Sequence, residues 1–367
     1  MHIPTLSVAS TVVTVAAAKS NLWVDRAPNH VRPYVIEHYA PAQAVSVGAQ
    51  VYRFPVTGPA SGGKFSLLST SSPASDALGV LPHLHQTHFE NFFALKGRFQ
   101  LWTEKEGEES SRLLTVGDYG ACPRNTTHTF QIMDPDTEMV GVISPGGFEE
   151  LFFFLANSNY SSSTDSPFVP AASTNSAGGG SSADIITTLE SLDVYAQLSY
   201  NPRRDIVNGS APSSNWHTGS NSLANNSHTP YYIAKDFGPK YIHNGTFYQI
   251  VQPFVTNLQS ADTNFTEGTI TMSRLRGGAS SRAVTTTILA DHHAFEVLEG
   301  VMKLTMSGET VTLITGDVAF IPGGTQFKYW SEVAFTKVLY VGAGTQTLDR
   351  TLMANASSWD YAVFPTA

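Results

Sequence analysis

Four residues with metal-ligating side chains recur in two spaced blocks of this chain. The first block carries Gly79, His83, His85, His88, Glu90 and Gly97; the second carries Gly117, Asp118, Pro123, Asn125 and His128. On a β-strand, side chains at i and i+2 point to one face. His83 and His85 can therefore aim two imidazoles at one point. Glu90 and His128 join them if neighbouring strands of a barrel bring both inward. Three neutral imidazoles and a carboxylate suit a divalent transition metal. Such a mixed set accepts Cu, Ni, Co, Fe, Mn or Zn, and copper leads in the Irving–Williams order. No soft ligand is present, which argues against an electron-carrying blue-copper site. The competing reading makes these histidines polar residues near turns. Two complete blocks in the right order favour a metal. His88 falls within the first block but on no ligand position, which points to a supporting or surface role.

These ligands need short strands to position them, and the chain supplies candidates. Runs of β-branched and aromatic residues bounded by turn residues predict strands at Val51–Val56, Phe65–Leu68, Phe89–Leu95, Arg98–Trp102, Tyr119–Cys122, Thr129–Ile132 and Met139–Ser144. The second half predicts Tyr248–Val255, Thr269–Ser273, Ala294–Leu298, Val301–Met306, Val318–Ile321 and Thr336–Val341. Lys96 with Gly97, and Glu299 with Gly300, read as hairpin turns. Apolar residues at Ile185, Ile186, Leu189, Leu192 and Tyr195 predict a short helix over Ala183–Tyr195, and a second is expected near Thr347–Ala354. A Ser-, Asn- and Gly-rich stretch from Asn157 to Ser182 lacks apolar periodicity and reads as a linker.

The two halves repeat each other. Gly117, Asp118, Pro123, Asn125 and His128 align with Gly316, Asp317, Pro322, Gly324 and Phe327. Counted back from the turn glycines, Glu90 corresponds to His293, and His83 and His85 to Thr286 and Ile288. The second copy keeps the signals of the fold and loses the ligands. His292 and His293 are adjacent and would face opposite sides of a strand. One metal per chain, in the first half, is expected.

At 367 residues the chain is long enough for two domains. Charged residues make up 14%, and the net charge is −9, which leaves no basic footprint for nucleic acid or anionic membrane. No apolar run beyond the N-terminus is long enough to span a membrane. The single cysteine, Cys122, excludes an intrachain disulfide and reads as a small buried residue. Residues 1–18 are apolar and end in Ala16, Ala17 and Ala18, as a secretory leader would, although no basic residue precedes the apolar run. Seven N-x-S/T triplets occur. Asn125 lies within the metal blocks; Asn159, Asn208, Asn225, Asn244, Asn264 and Asn355 are the glycosylation candidates. Secretion to the extracellular space is the expectation. The organisation is then a leader at 1–18, a metal-binding half at 19–156, a linker with a short helix at 157–196, and a second half at 197–367.

The spacing of the two blocks resembles the motif pair of the cupin superfamily. Gly79 stands two residues closer to His83 than in that pattern, and Asn125 replaces the usual glycine. Because the resemblance covers both halves, it implies an all-β bicupin: two jelly-roll or β-sandwich barrels joined by a linker, with a few short helices. Longer phrases sharpen it, including Asn29 to Ile36, Ser75 to His83, Gly117 to Gly120, His128 to Ile132, Asp134 to Met139 and Gly316 to Gly324. They resemble the fungal secreted quercetin dioxygenases, copper-dependent bicupins with metal in the N-terminal cupin only. That resemblance implies ligands at His83, His85, Glu90 and His128, and a metal-proximal tyrosine at Tyr52. It also implies an apolar substrate cleft at Phe92, Phe130, Met139 and Leu68, where a Met-for-Leu exchange would nearly conserve volume. The implied reaction opens the central ring of a flavonol with O2 and releases carbon monoxide and a depside, with Glu90 as general base. The implied partners are the flavonol and O2, and a homodimer is compatible. Two other readings stay open: a manganese-dependent oxalate decarboxylase or oxidase, and a non-enzymatic binding bicupin.

Overall fold

The computed structural model describes residues 20–40, 44–156, 158–160, 183–205 and 216–366. The expected leader, most of the linker and Asn208 lie outside the described residues. Among the described residues four sheets carry the fold, with nine, eight, five and four strands. The eight- and five-stranded sheets enclose one apolar core, around Phe99, Leu101, Phe130 and Met139. The nine- and four-stranded sheets enclose another, around Phe295, Leu304, Phe327 and Tyr340. The two largest sheets meet through a third core that includes Phe65, Phe89, Phe93, Tyr119, Phe254, Phe265 and Phe320. The all-β bicupin architecture implied by the resemblance is present.

Strand Phe89–Lys96 shows how one sequence serves two cores. Glu90, Phe92 and Ala94 alternate onto the inner face, and Phe89 and Phe93 onto the face between the barrels. A strand buried on both faces therefore reads as a nearly continuous apolar run. The turn to the next strand, Phe99–Lys105, passes through Gly97 at φ 64°; a Cβ there would lie 2.7 Å from the Asp136 carbonyl oxygen.

The two halves exchange a strand. Tyr34–Ile36 joins the nine-stranded sheet by pairing with Val318–Ile321 of the second half. Tyr231–Ile233 joins the eight-stranded sheet by pairing with Tyr119–Cys122 of the first. The register is the same in both: Ile36 opposes Val318, and Ile233 opposes Tyr119, each two residues beyond a motif glycine. That crossing explains the glycines. A Cβ on Gly117 would lie 2.7 Å from the Lys235 side chain, and one on Gly316 would lie 2.3 Å from the His38 ring.

Several elements differ from the sequence expectation. The helix ends at Ser191, not Tyr195, because Asp193 turns left-handed at φ 64° and Tyr195–Ala196 becomes a strand. The second expected helix spans Leu348–Met353. Unanticipated are the helix Glu149–Leu155 and the outer strands Glu108–Leu114 and Glu309–Ile314. Among the described residues no helix is long and apolar enough to cross a membrane.

Candidate metal centre

His83 opens a two-residue strand that pairs with the strand Thr127–Ile132, and there His83 stands directly opposite His128. Glu90 lies near the start of strand Phe89–Lys96, opposite Cys122 and Ile143. His85 sits between them at the start of the connecting loop. One ligand atom from each of His83, His85, Glu90 and His128 falls within a group whose members lie within 4.8 Å of one another. His85 and His128 are buried, and His83 is the partly open member. The described residues contain no other group of three or more such side chains.

The imidazole contacts test whether this group suits a cation. The Nδ1 atoms of His83, His85 and His128 lie 2.7, 2.6 and 3.0 Å from the carbonyl oxygens of Leu81, Asp193 and Thr126. A carbonyl only accepts, so all three Nδ1 atoms donate, and every neutral ring keeps its Nε2 lone pair free. His85 Nε2 and His128 Nε2 point at Glu90 Oε2, at 3.0 and 2.8 Å. Lone pairs facing a carboxylate oxygen require a proton or a cation between them. The donor set fits a divalent transition metal.

The electrostatics agree. Burial pulls the His83 imidazole well below its ordinary pKa, helped by His128 and His85. Burial also disfavours charge on His85, but the Glu90 carboxylate and the Asp193 carbonyl outweigh it and raise its pKa. Burial alone would raise Glu90; hydrogen bonds from His128 and His85 hold it well below the usual carboxylate range. The metal-free cluster therefore keeps Glu90 ionised.

The cleft residues implied by the resemblance fall in two clusters beside this group. Phe92, Phe130 and Met139 belong to one, with the Phe92 ring 5.9 Å from those of His128 and Phe130. Tyr52 and Leu68 belong to the other, with Ile143, Phe148 and Phe152. All five cleft residues are buried. The Tyr52 hydroxyl donates to Gln50 Oε1 at 2.9 Å, and its ring contacts Phe152 at 4.2 Å. Burial, reinforced by the Glu90 charge, raises the Tyr52 pKa and keeps its hydroxyl protonated.

Asn125 and Gly79 have local explanations. Asn125 adopts φ 56°, a left-handed backbone that Asn tolerates better than most residues, and its amide donates to the His85 carbonyl at 2.6 Å. Gly79 lies against Phe130, where a Cβ would sit 2.3 Å from the ring.

Two contributors escape the motif pattern. Phe148, just before the unanticipated helix, packs its ring against His85 at 4.8 Å and His88 at 5.0 Å. Asp193 binds the loop after His85, and His88 Nδ1 meets its carboxylate at 2.7 Å. No signal near either residue marked it.

In the second half the alignment of the first histidines shifts by one. Thr287, not Thr286, opposes Phe327, as His83 opposes His128. Gly324 donates to the Leu289 carbonyl, as Asn125 donates to that of His85, so Leu289, not Ile288, is the counterpart of His85. The connecting loop is one residue shorter there, which a count from the turn glycines could not register. His293 keeps the place of Glu90, opposite Ile321. The corresponding set of Thr287, Leu289, His293 and Phe327 offers one imidazole.

The chain is 51% identical over 349 residues to the quercetin 2,3-dioxygenase of Aspergillus japonicus, which spans 94% of this chain and 99% of that protein. It is 33% identical over 125 residues to the quercetin 2,3-dioxygenase of Bacillus subtilis (strain 168), or 34% of this chain and 35% of that protein. Among solved structures it resembles the oxalate decarboxylase of Lactobacillus farciminis in its formate complex. That likeness has 14% identity and a TM-score of 0.51, covers 85% of this chain and 86% of that one, and speaks to the fold alone. No family model matches the chain. The near full-length identity to the Aspergillus protein settles the family: this chain belongs to the quercetin 2,3-dioxygenases.

Proposed function

We propose that this protein is a copper-dependent dioxygenase that opens the central ring of flavonols such as quercetin with O2, releasing carbon monoxide and a depside. The observation that carries this reading is the convergence of three imidazole Nε2 atoms and the Glu90 carboxylate beside two apolar clusters. Bound at His83, His85, Glu90 and His128, copper would supply Lewis acidity towards the deprotonated 3-hydroxyl and a site for one-electron chemistry with O2. Nickel, cobalt, iron and manganese remain chemically compatible with the same ligands.

The side chains divide the remaining work. Both imidazole contacts fall on Glu90 Oε2, so Oε1 is available to take the flavonol 3-hydroxyl proton as general base. Phe92, Phe130, Met139 and Leu68 offer apolar faces to a flat aromatic ring. Tyr52, held protonated, is no base; its single O–H proton goes to Gln50 Oε1, which leaves its oxygen as an acceptor. Burial of Glu90 by the same packing strengthens the charge interactions there.

Secretion and glycosylation belong to the same reading. Asn159, Asn225, Asn244, Asn264 and Asn355 are all exposed, as acceptors of glycans must be. Mass spectrometry of protein from a fungal host tests this part; a chain retaining Met1 and carrying no sugar refutes it. The catalytic reading is tested by incubating the copper-loaded protein with quercetin under air. Ring opening with one carbon monoxide per quercetin is expected. Oxalate turnover, or binding without reaction, refutes it.

A further inference from the structure

A residue that supplies no metal ligand holds the loop between two of them. Asp193 follows the helix Ala183–Ser191 and lies 108 positions beyond His85. Its carboxylate accepts hydrogen bonds from the backbone amides of Gln86 at 2.9 Å, Thr87 at 3.0 Å and His88 at 2.9 Å. It also accepts from the Thr87 hydroxyl at 2.6 Å and meets His88 Nδ1 at 2.7 Å. Its backbone carbonyl takes the Nδ1 proton of His85. Each residue from His85 to His88 thus bonds to this one aspartate.

The contacts define a mechanical role. Three consecutive amides converging on one point form a cradle for an anion, and the Asp193 carboxylate fills it. Without that anion the three amides have no other acceptor fixing the turn between His85 and Glu90. The carbonyl contact also selects the His85 tautomer that leaves Nε2 free. Two residues on, Tyr195 and Ala196 pair with Leu84 and His83, so the same segment backs the histidine pair from its other edge. Val194, between them, is buried in the cluster that holds Tyr52.

We propose that Asp193 is a positioning residue of the metal centre: by clamping residues 85–88 it aims His85 Nε2 and Glu90 at one cation, and its loss loosens the metal without removing a ligand. The proposal rests on the reading that His83, His85, Glu90 and His128 hold a metal.

Chelator competition for copper(II) on the full-length protein tests it. Asp193→Asn keeps the size and tolerates the left-handed backbone, but presents an amino group to donors that need an acceptor. Its copper affinity should fall about 10- to 100-fold, the range for residues that orient metal ligands. The copper(II) EPR spectrum should change as His85 loses its fixed orientation. If Asp193→Asn fails to fold, Thr87→Val, which removes one bond of the clamp, should still lose about two- to fivefold. An affinity within twofold of the parent and an unaltered spectrum in the folded variant overturn the clamp while leaving the metal centre intact. A parent protein that takes up no copper refutes the centre itself.

Discussion

Replacing Glu90 by glutamine separates its two assigned roles. The amide has the size of the carboxyl group and keeps one oxygen where Oε2 now lies, 2.8 Å from His128 Nε2 and 3.0 Å from His85 Nε2. It cannot take a proton at neutral pH. The substitution also removes the negative charge that the two imidazoles stabilise, so metal binding should weaken and the variant must be reloaded before assay. At full occupancy the rate should fall by about 10²- to 10⁴-fold, the contribution of a positioned general base. That corresponds to about 3 to 6 kcal/mol of barrier, at about 1.4 kcal/mol per factor of ten. Metal content is measured by elemental analysis and turnover by carbon monoxide release. The absorption band of quercetin reports whether it is bound neutral or as its anion. The expected variant is metal-replete, binds quercetin in its neutral form and turns over slowly. Near-parental turnover at full occupancy, or complete formation of the bound anion, would refute the base role and leave Glu90 a ligand only.

Elemental analysis of the loaded protein should give about one metal per chain, from four ligands in one barrel against one imidazole in the other; two tightly held ions, or metal retained after His83→Ala with His128→Ala, contradict this. Glu296 is buried in the second barrel near His38 and Glu138, and burial, reinforced by Glu138, lifts its pKa to about 8 from 4.5 despite His38. Its folded pKa exceeds its unfolded one, so its stabilisation is complete below pH 4.5 and is lost as pH rises through about 8. Glu296→Gln should therefore raise the thermal midpoint more at pH 8 than at pH 4.5, and an equal effect at both rejects the assignment. Phe320 is fully buried between the barrels, 5.5 Å from the ring of Tyr34 and 6.2 Å from that of Phe65. Phe320→Ala should cost about 3 to 5 kcal/mol and lower one shared unfolding transition; a first barrel that melts unchanged would show the halves to be independent.

Legibility in the sequence followed the range of the interaction. The ligand residues could be read because strand alternation and block spacing are local, and Glu90, Phe92 and Ala94 share a face for the same reason. The repeat exposed the second barrel through its turn glycines, which positive φ requires at Gly117 and Gly316. What escaped depends on partners far away in the chain. Tyr34–Ile36 and Tyr231–Ile233 are three residues each, too short for a periodic signal, and owe their extended form to strands in the opposite half. Asp193 looks like any polar residue after a helix until residues 86–88 are folded against it. Strands Glu108–Leu114 and Glu309–Ile314 lie at sheet edges, where exposed polar positions dilute the apolar pattern.

The exchanged strands give the ligand-poor barrel a purpose of its own. Two copies of one cupin that swapped their first strands as separate chains would show this same reciprocal register, and joining them end to end would preserve it. Once fused, such a pair can no longer part with either member. Deleting the second barrel would strip Tyr231–Ile233 from Tyr119–Cys122, the strand on which Glu90 is registered, and leave it as a raw apolar edge prone to association. The barrel without the ligand set thus completes the sheet of the one that has it. For the same reason the chain cannot complete the sheet that carries Glu90 during synthesis until the second half has begun to emerge.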